Sequence, residues 1–272
     1  MSVATRDLRA MFDWRSLAVL RRNAKVYLRN WRTAFFPPAM EPIVMFLSLG
    51  LGLGGYVSIE GYGGVSYPSY LAPGLMAYTA FTTPFFEGLY SAYVRMFYQK
   101  TWDGMLATQL EMRHIVSGEI LWTGLRGAMN VVAVAIVLFG FDLFGLIDID
   151  ARMLVIAPPL AFVAGCAFGA FALIFTAIVP SIDHMNYPTF LVGVPLGLVS
   201  DTYFPVDPKS PVLALLADAN PIRHLARLYR ALLLGHDTPG THALKLLVST
   251  AVCLALFSML AHRLVKKRVL SE

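Results

Sequence analysis

Five ionisable side chains stand inside or at the edge of long apolar runs in this sequence: Glu41, Glu87, Glu119, Arg126 and Asp201. A charge at the centre of a membrane span costs about 2.5–3.5 kcal/mol on insertion scales, so such residues face a partner or a cavity rather than lipid. Glu119 and Arg126 are seven residues apart, two helical turns, and their opposite charges suggest a local structural pair. Glu87 follows Pro84, Phe85 and Phe86 and precedes Tyr90 in a proline-bent, aromatic-rich helix. Two readings stand side by side for it. One is a helix–helix hydrogen bond; the other is a wall of a route for an amphiphile, with Phe85, Phe86 and Tyr90 stacking on sugar rings or packing on acyl chains.

Most other chemistry lacks its residues. No GxxxxGK[ST] phosphate loop is present, so the chain does not bind and hydrolyse ATP in the P-loop manner, and HExxH, CxxC and GxSxG are absent too. His114, His184, His224, His236, His242 and His262 lie on separate segments without metal-ligand spacing. A membrane-embedded glycosyltransferase or acyltransferase would need a convergent acid–base site, for which Glu111 with His114 is the nearest candidate. An ion-coupled carrier would favour an internal repeat, and residues 35–141 and 153–262 show no convincing one. The expectation is no catalytic residue, no metal site and no cofactor in this chain.

The elements that must position these residues are membrane helices. Of 272 residues, 57% are hydrophobic and 14% charged, against roughly 25% charged in soluble domains. Cys166 and Cys253 sit within apolar runs and read as small core residues rather than a disulfide framework. The net charge of +5 gathers beside apolar spans rather than on one domain face, which argues against nucleic acid as a partner.

A span needs about 20 apolar residues as helix, and six runs qualify: 35–57, 68–94, 119–141, 153–180, 185–203 and 243–262. Pro188 and Pro195 mark the fifth as discontinuous. Lys and Arg collect in an N-terminal arm (Arg6, Arg9, Arg15, Arg21, Arg22, Lys25, Arg29, Arg32), in the 95–118 segment (Arg95, Lys100, Arg113) and in the 263–272 tail (Arg263, Lys266, Lys267, Arg268). The positive-inside rule puts all three, and both termini, in the cytoplasm, with 58–67, 142–152 and 204–242 outside. The long basic arm has no signal-peptide pattern and is expected to be retained. The reading is an all-α integral membrane protein: an arm at 1–34, a six-helix domain at 35–262 and a basic tail.

Two amphipathic stretches flank it. In 14–32, Leu17, Leu20, Ala24, Tyr27, Leu28 and Trp31 share a stripe, with Arg22, Lys25, Arg29 and Arg32 largely away from it, as in an inner-interface helix that anchors the chain or also docks a partner. In PIRHLARLYRALLLG, from Pro221 to Gly235, an apolar face opposes Arg223, Arg227 and Arg230, placing an amphipathic helix at the outer interface. Those arginines either anchor it or meet anionic head groups or a passing anionic substrate. Glycines at Gly165 and Gly169, and in LGLGLGG from Leu49 to Gly55, read as packing positions. Between spans two and three, Asp103-Gly104 signals a turn, with Met105, Leu106, Leu110 and Met112 as a short apolar ridge. An amphipathic element facing the cytoplasm, on a chain without its own energy source, suits docking of a separate engine.

The stretches EPIVMFLSLGLGLGGYV (41–57), YLAPGLMAYTAFTTPFFEGLYSAYVRMFYQKTWDGMLATQL (70–110), IVSGEILWTGLRG (115–127) and NPIRHLARLYRALLLG (220–235) resemble permeases of the type-2 ABC exporter superfamily, in particular the nodulation lipooligosaccharide branch. One departure is Gln109, where related sequences often have proline. The resemblance implies an N-terminal interface helix, six transmembrane helices, a coupling helix between the second and third, and external re-entrant helices before the sixth. It implies two permease copies in the inner membrane with two cytoplasmic ATPase subunits that bind ATP and Mg, and coupling through Trp102, Asp103, Met105 and Leu106. It favours an amphiphile with a glycan head and acyl tail as cargo, with drugs or another lipid as alternatives.

Overall fold

The computed structural model describes residues 13–57, 64–206, 210–235 and 238–271. Arg6 and Arg9 of the basic arm, Lys209, His236 and residues 58–63 of the 58–67 loop lie outside the described residues. Among the described residues every regular element is helical. Helix α1, Trp14–Arg29, starts at Asp13, whose carboxylate accepts the Arg15 backbone N–H at 3.0 Å. Helix α2, Trp31–Met45, runs on through a π-helical turn, Phe46–Leu51. Helix α3, Tyr67–Phe86, contains Pro73 and Pro84 and continues through wider turns, Glu87–Ser91 and Val94–Tyr98. A proline cannot donate its i→i−4 bond, and the first wide turn opens just after Pro84.

The short α4, Thr101–Leu106, precedes two long helices, α5, Met112–Leu143, and α6, Ala157–Ile178. A broken run follows, Asn186–Pro188, Thr189–Gly193 and Val194–Leu198. Then come α7, Pro211–Ala219, α8, Pro221–Leu234, and α9, Pro239–Ser271. Among the described residues, three helices are long and apolar enough to cross a membrane: Met112–Leu143, Ala151–Ile178 and Pro239–Val269. The 35–57, 68–94 and 185–203 segments are also largely helical but are interrupted, in each case by π-helical turns.

Close packing of α3, α5 and α6 rests on glycines. A Cβ on Gly165 would lie 2.9 Å from Pro84 Cγ of α3 and 3.1 Å from Gly124 Cα of α5, and one on Gly169 would collide with Thr123. The Gly165/Gly169 spacing therefore brings α6 against both neighbours at once. The LGLGLGG run divides: a Cβ on Gly54 would lie 3.1 Å from Pro68 Cγ of α3 and one on Gly50 3.3 Å from the Phe46 ring, whereas one on Gly52 or Gly55 would meet nothing within 4 Å. Among the described residues the buried apolar side chains form two clusters. One centres on α3, α6 and α8, and the other, with Val19, Met96, Trp102, Ile115, Leu173 and Val265, joins α1, α4, α5, α6 and α9 at one end of the bundle.

Candidate functional site

Arg95, in the last wide turn of α3, is the centre of a buried charge network at that end. Its Nε and Nη2 donate to the two Glu119 carboxylate oxygens at 3.1 and 2.6 Å, and its Nη1 donates to Glu87 at 2.8 Å. Glu87 also accepts the Trp122 indole N–H at 2.8 Å and Arg126 Nε at 3.4 Å. The Glu119–Arg126 pair expected from their spacing does not form. Both residues lie on α5, and each finds its partner across the helix interface, Glu119 in Arg95 and Arg126 in Glu87. Two carboxylates face two guanidinium groups, so each buried charge of the network has an opposite partner.

Two neighbours tie this network to the surface helices. The Trp102 side chain of α4 is wholly buried and its Nε1 donates to Glu119 at 3.3 Å. Tyr27 of α1 meets Trp122 edge-on at 5.8 Å between ring centroids, and the Arg126 guanidinium lies 4.4 Å over the Tyr27 ring. The apolar stripe expected on α1 therefore divides. Ser16, Val19, Asn23 and Tyr27 face the bundle, whereas Leu17, Leu28 and Trp31 are exposed. Gly118 permits the approach, because a Cβ there would lie 2.7 Å from the Ser16 carbonyl oxygen.

Helix α4 corrects the turn expected at Asp103-Gly104. Both residues are helical, and the chain instead reverses at Lys100, which takes φ 50°, and after Ala107. Lys100 absorbs the left-handed conformation, so Asp103 falls in the first helical turn, where its carboxylate faces the favourable end of the helix dipole. Asp103 is exposed, while Met105 and Leu106 are half-buried against the cluster that holds Trp102. Of the candidate route residues, Phe85 is core, stacked on Phe81 at 5.3 Å. Glu87 and Tyr90 line two adjoining cavities of about 430 and 410 Å³, and Phe86 lines the second beside Glu41 of α2.

Glu111 and His114 form a helix cap rather than an acid–base pair. The Glu111 backbone N–H donates to His114 Nδ1 at 3.1 Å, and the Glu111 carboxylate pairs with Arg113 at 3.0 Å. Among the described residues no group of acidic, histidine and cysteine side chains could hold a metal ion.

At the opposite end of the bundle the arginines of α8 turn inward instead of presenting an outer charged face. Arg223 and Arg227 donate to the same Asp201 oxygen at 3.0 and 2.6 Å, and only Arg227 keeps appreciable exposure, at 32% of its side chain. Arg230 donates to the Tyr70 and Thr202 carbonyls at 3.1 and 2.9 Å, with its guanidinium 3.8 Å over the Tyr70 ring. The cause is Asp201, which sits at φ 57° and places one buried carboxylate where two α8 turns reach it. Sequence reading missed the central place of Arg95. Its spacing of eight from Glu87, about two turns, was the available signal.

The buried charges of this membrane-embedded bundle connect its helix ends to the short surface helices α1 and α4. Over residues 16–234 the sequence matches the ABC-2 type transporter family, and the chain belongs to that family as a transporter component rather than an enzyme in its own right. Its similarity runs to nodulation protein J. It is 33% identical to that of Rhizobium leguminosarum bv. trifolii over 81% of each chain, and 31% identical to that of Neorhizobium galegae over 84% of each. It is also 32% identical to the protein of R. leguminosarum bv. viciae over 86% of this chain and 87% of the relative. These similarities put it in the nodulation protein J branch of ABC-2 permeases.

Proposed function

We propose that this chain is the permease subunit of an ATP-driven exporter that moves an amphiphile with a glycan head and an acyl tail, such as a lipooligosaccharide, outward across the cytoplasmic membrane. In this reading the chain crosses the bilayer six times with both termini in the cytoplasm. Two copies pair with two ATPase subunits, which bind ATP and Mg. The observation that carries the proposal is the buried indole of Trp102 on Glu119, one residue from the exposed Asp103. A partner pressing on α4 moves a side chain anchored in the charge network, not a free surface loop. Through Arg95 the displacement reaches Glu87, and through Trp122, Arg126 and Tyr27 it reaches α1. Glu87 and Tyr90 line the cavities beside that network, so the same movement reshapes the space for a glycan head.

The resemblance of the 41–57, 70–110, 115–127 and 220–235 stretches to the nodulation lipooligosaccharide branch supports the amphiphile class, and the similarity to nodulation protein J agrees with that branch. The test is to co-express the chain with an ABC ATPase subunit from the same organism, purify the complex and follow ATP hydrolysis in lipid vesicles with and without acylated oligosaccharides. A stable complex stimulated by an acylated oligosaccharide supports the reading. A chain that captures no ATPase defeats it.

A further inference from the structure

Helix α9 lies beyond the part of the chain that matches the family, which ends at residue 234. At 33 residues it is about 50 Å long at about 1.5 Å per residue, well over the roughly 30 Å of a bilayer core. Its last turns therefore project past the membrane, and they are basic: Arg263, Lys266, Lys267 and Arg268. Lys266 and Lys267 are exposed, but Arg268 turns back into the bundle. Its Nη1 donates to the carbonyls of Thr176, Ala177 and Val179 at 3.4, 3.1 and 2.5 Å. These are carbonyls at the C-terminal end of α6, where extended Val179 and then Pro180 stop the helix without a capping glycine. A cation there satisfies orphan acceptors and opposes the negative end of the helix dipole.

A capping role alone does not account for the other face of the same guanidinium. It lies 4.3 Å over the ring of Phe97, in the wide turn that leads from α3 into α4. Phe97 packs on Tyr93 at 4.4 Å, and the Tyr93 hydroxyl donates to the Pro180 carbonyl at 3.1 Å. The ends of α3, α6 and α9 are thus fastened at one joint. Val265 and Val269 of α9 enter the same apolar cluster as Trp102, Met105 and Leu106 of α4.

We propose that Arg268 is a positioning residue for energy coupling, clamping α9 and the end of α6 to the segment that carries α4, so that all three move as one body when the ATPase moves α4. The proposal rests on the exporter reading and adds a third arm to the coupling device, beside α4 and α1. Lysine does not replace Arg268, because a point charge lacks the flat guanidinium face that lies on the Phe97 ring.

The experiment uses the full permease–ATPase complex in vesicles, with Cys166 and Cys253 replaced and spin labels introduced by Gly104→Cys on α4 and Lys266→Cys on α9. In the parent the 104–266 distance is expected to stay constant between nucleotide-free and ATP-trapped states. In Arg268→Ala it is expected to change on trapping, and transport of a fluorescent acylated oligosaccharide per ATP hydrolysed should fall roughly 2- to 30-fold, the range for cutting one link of a coupled network. Phe97→Leu keeps the apolar packing and removes the aromatic face, so it should show the same loss in milder form even if Arg268→Ala assembles poorly. A constant distance and full transport per ATP in either variant, once it is assembled with the ATPase, would overturn the clamp. Failure of the parent chain to bind any ATPase would instead count against the exporter reading.

Discussion

Arg95 bridges two carboxylates, so removing it and removing the whole pair should have opposite consequences. In Arg95→Met, Glu87 keeps Trp122 and Arg126, but Glu119 is left fully buried with the Trp102 indole as its one remaining partner among the bonds of this network. An uncompensated buried charge of this kind costs about 3–5 kcal/mol. At about 2–4 °C per kcal/mol for a large domain, the melting transition in detergent should fall by about 6–20 °C. The double variant Arg95→Met/Glu119→Met removes both charges and replaces them with apolar groups of similar reach, so most of that loss should return. It should nevertheless uncouple, because Trp102 no longer has its acceptor on α5. The assay pairs thermal unfolding of the purified chain at a fixed scan rate with ATPase stimulation of the assembled complex. A single variant melting with the parent, or a double variant no more stable than the single one, would refute the view that Arg95 chiefly compensates Glu119. A stable double variant that remains fully coupled would refute the transmission through Trp102.

Other substitutions test separate parts of the site. Asp103→Ala/Leu106→Ala should insert in the membrane normally while losing transport and ATPase stimulation, since one side chain is exposed and the other half-buried on α4; unchanged coupled activity would remove α4 from the mechanism. Gly118→Val places atoms where Ser16 O and Val19 Cβ already stand, 2.7 and 2.5 Å from the first added carbon, and should lift α1 off α5; faster proteolysis within residues 14–29 is the expected readout. Asp201→Asn preserves a side chain that tolerates positive φ but removes the charge shared by Arg223 and Arg227, so about 3–5 kcal/mol of stability should be lost; a melting temperature equal to the parent's would show that the carboxylate is dispensable. The Arg15 backbone N–H holds the Asp13 carboxyl below its ordinary value of 3.8. Because the folded value is depressed, the cap is fully present above 3.8 and is lost only as pH falls through the lower folded value. Amide exchange at Arg15, corrected for intrinsic rate, should therefore be constant from about pH 5 to pH 8.

Periodicity and composition were enough to read this chain as helical and membrane-embedded, to place α1 and α8, and to see that 185–203 is interrupted by proline. The resemblance was legible as well, because it depends on strings of residues rather than on contacts. What sequence spacing alone could not decide was which charge meets which. Glu119 and Arg126 are compatible in register on one helix, yet the tertiary structure brings Arg95 and Glu87 of α3 closer to them than they are to each other. Likewise the charged stripe of α8 has the pattern of a surface face, and only the tertiary neighbours turn it into a buried one: Asp201 for Arg223 and Arg227, and the Tyr70 and Thr202 carbonyls for Arg230. A helical period tells which side chains share a face, but the neighbour across that face is set by how helices from distant parts of the chain pack. In a low-dielectric interior that neighbour determines whether a charge is a surface anchor or a buried joint.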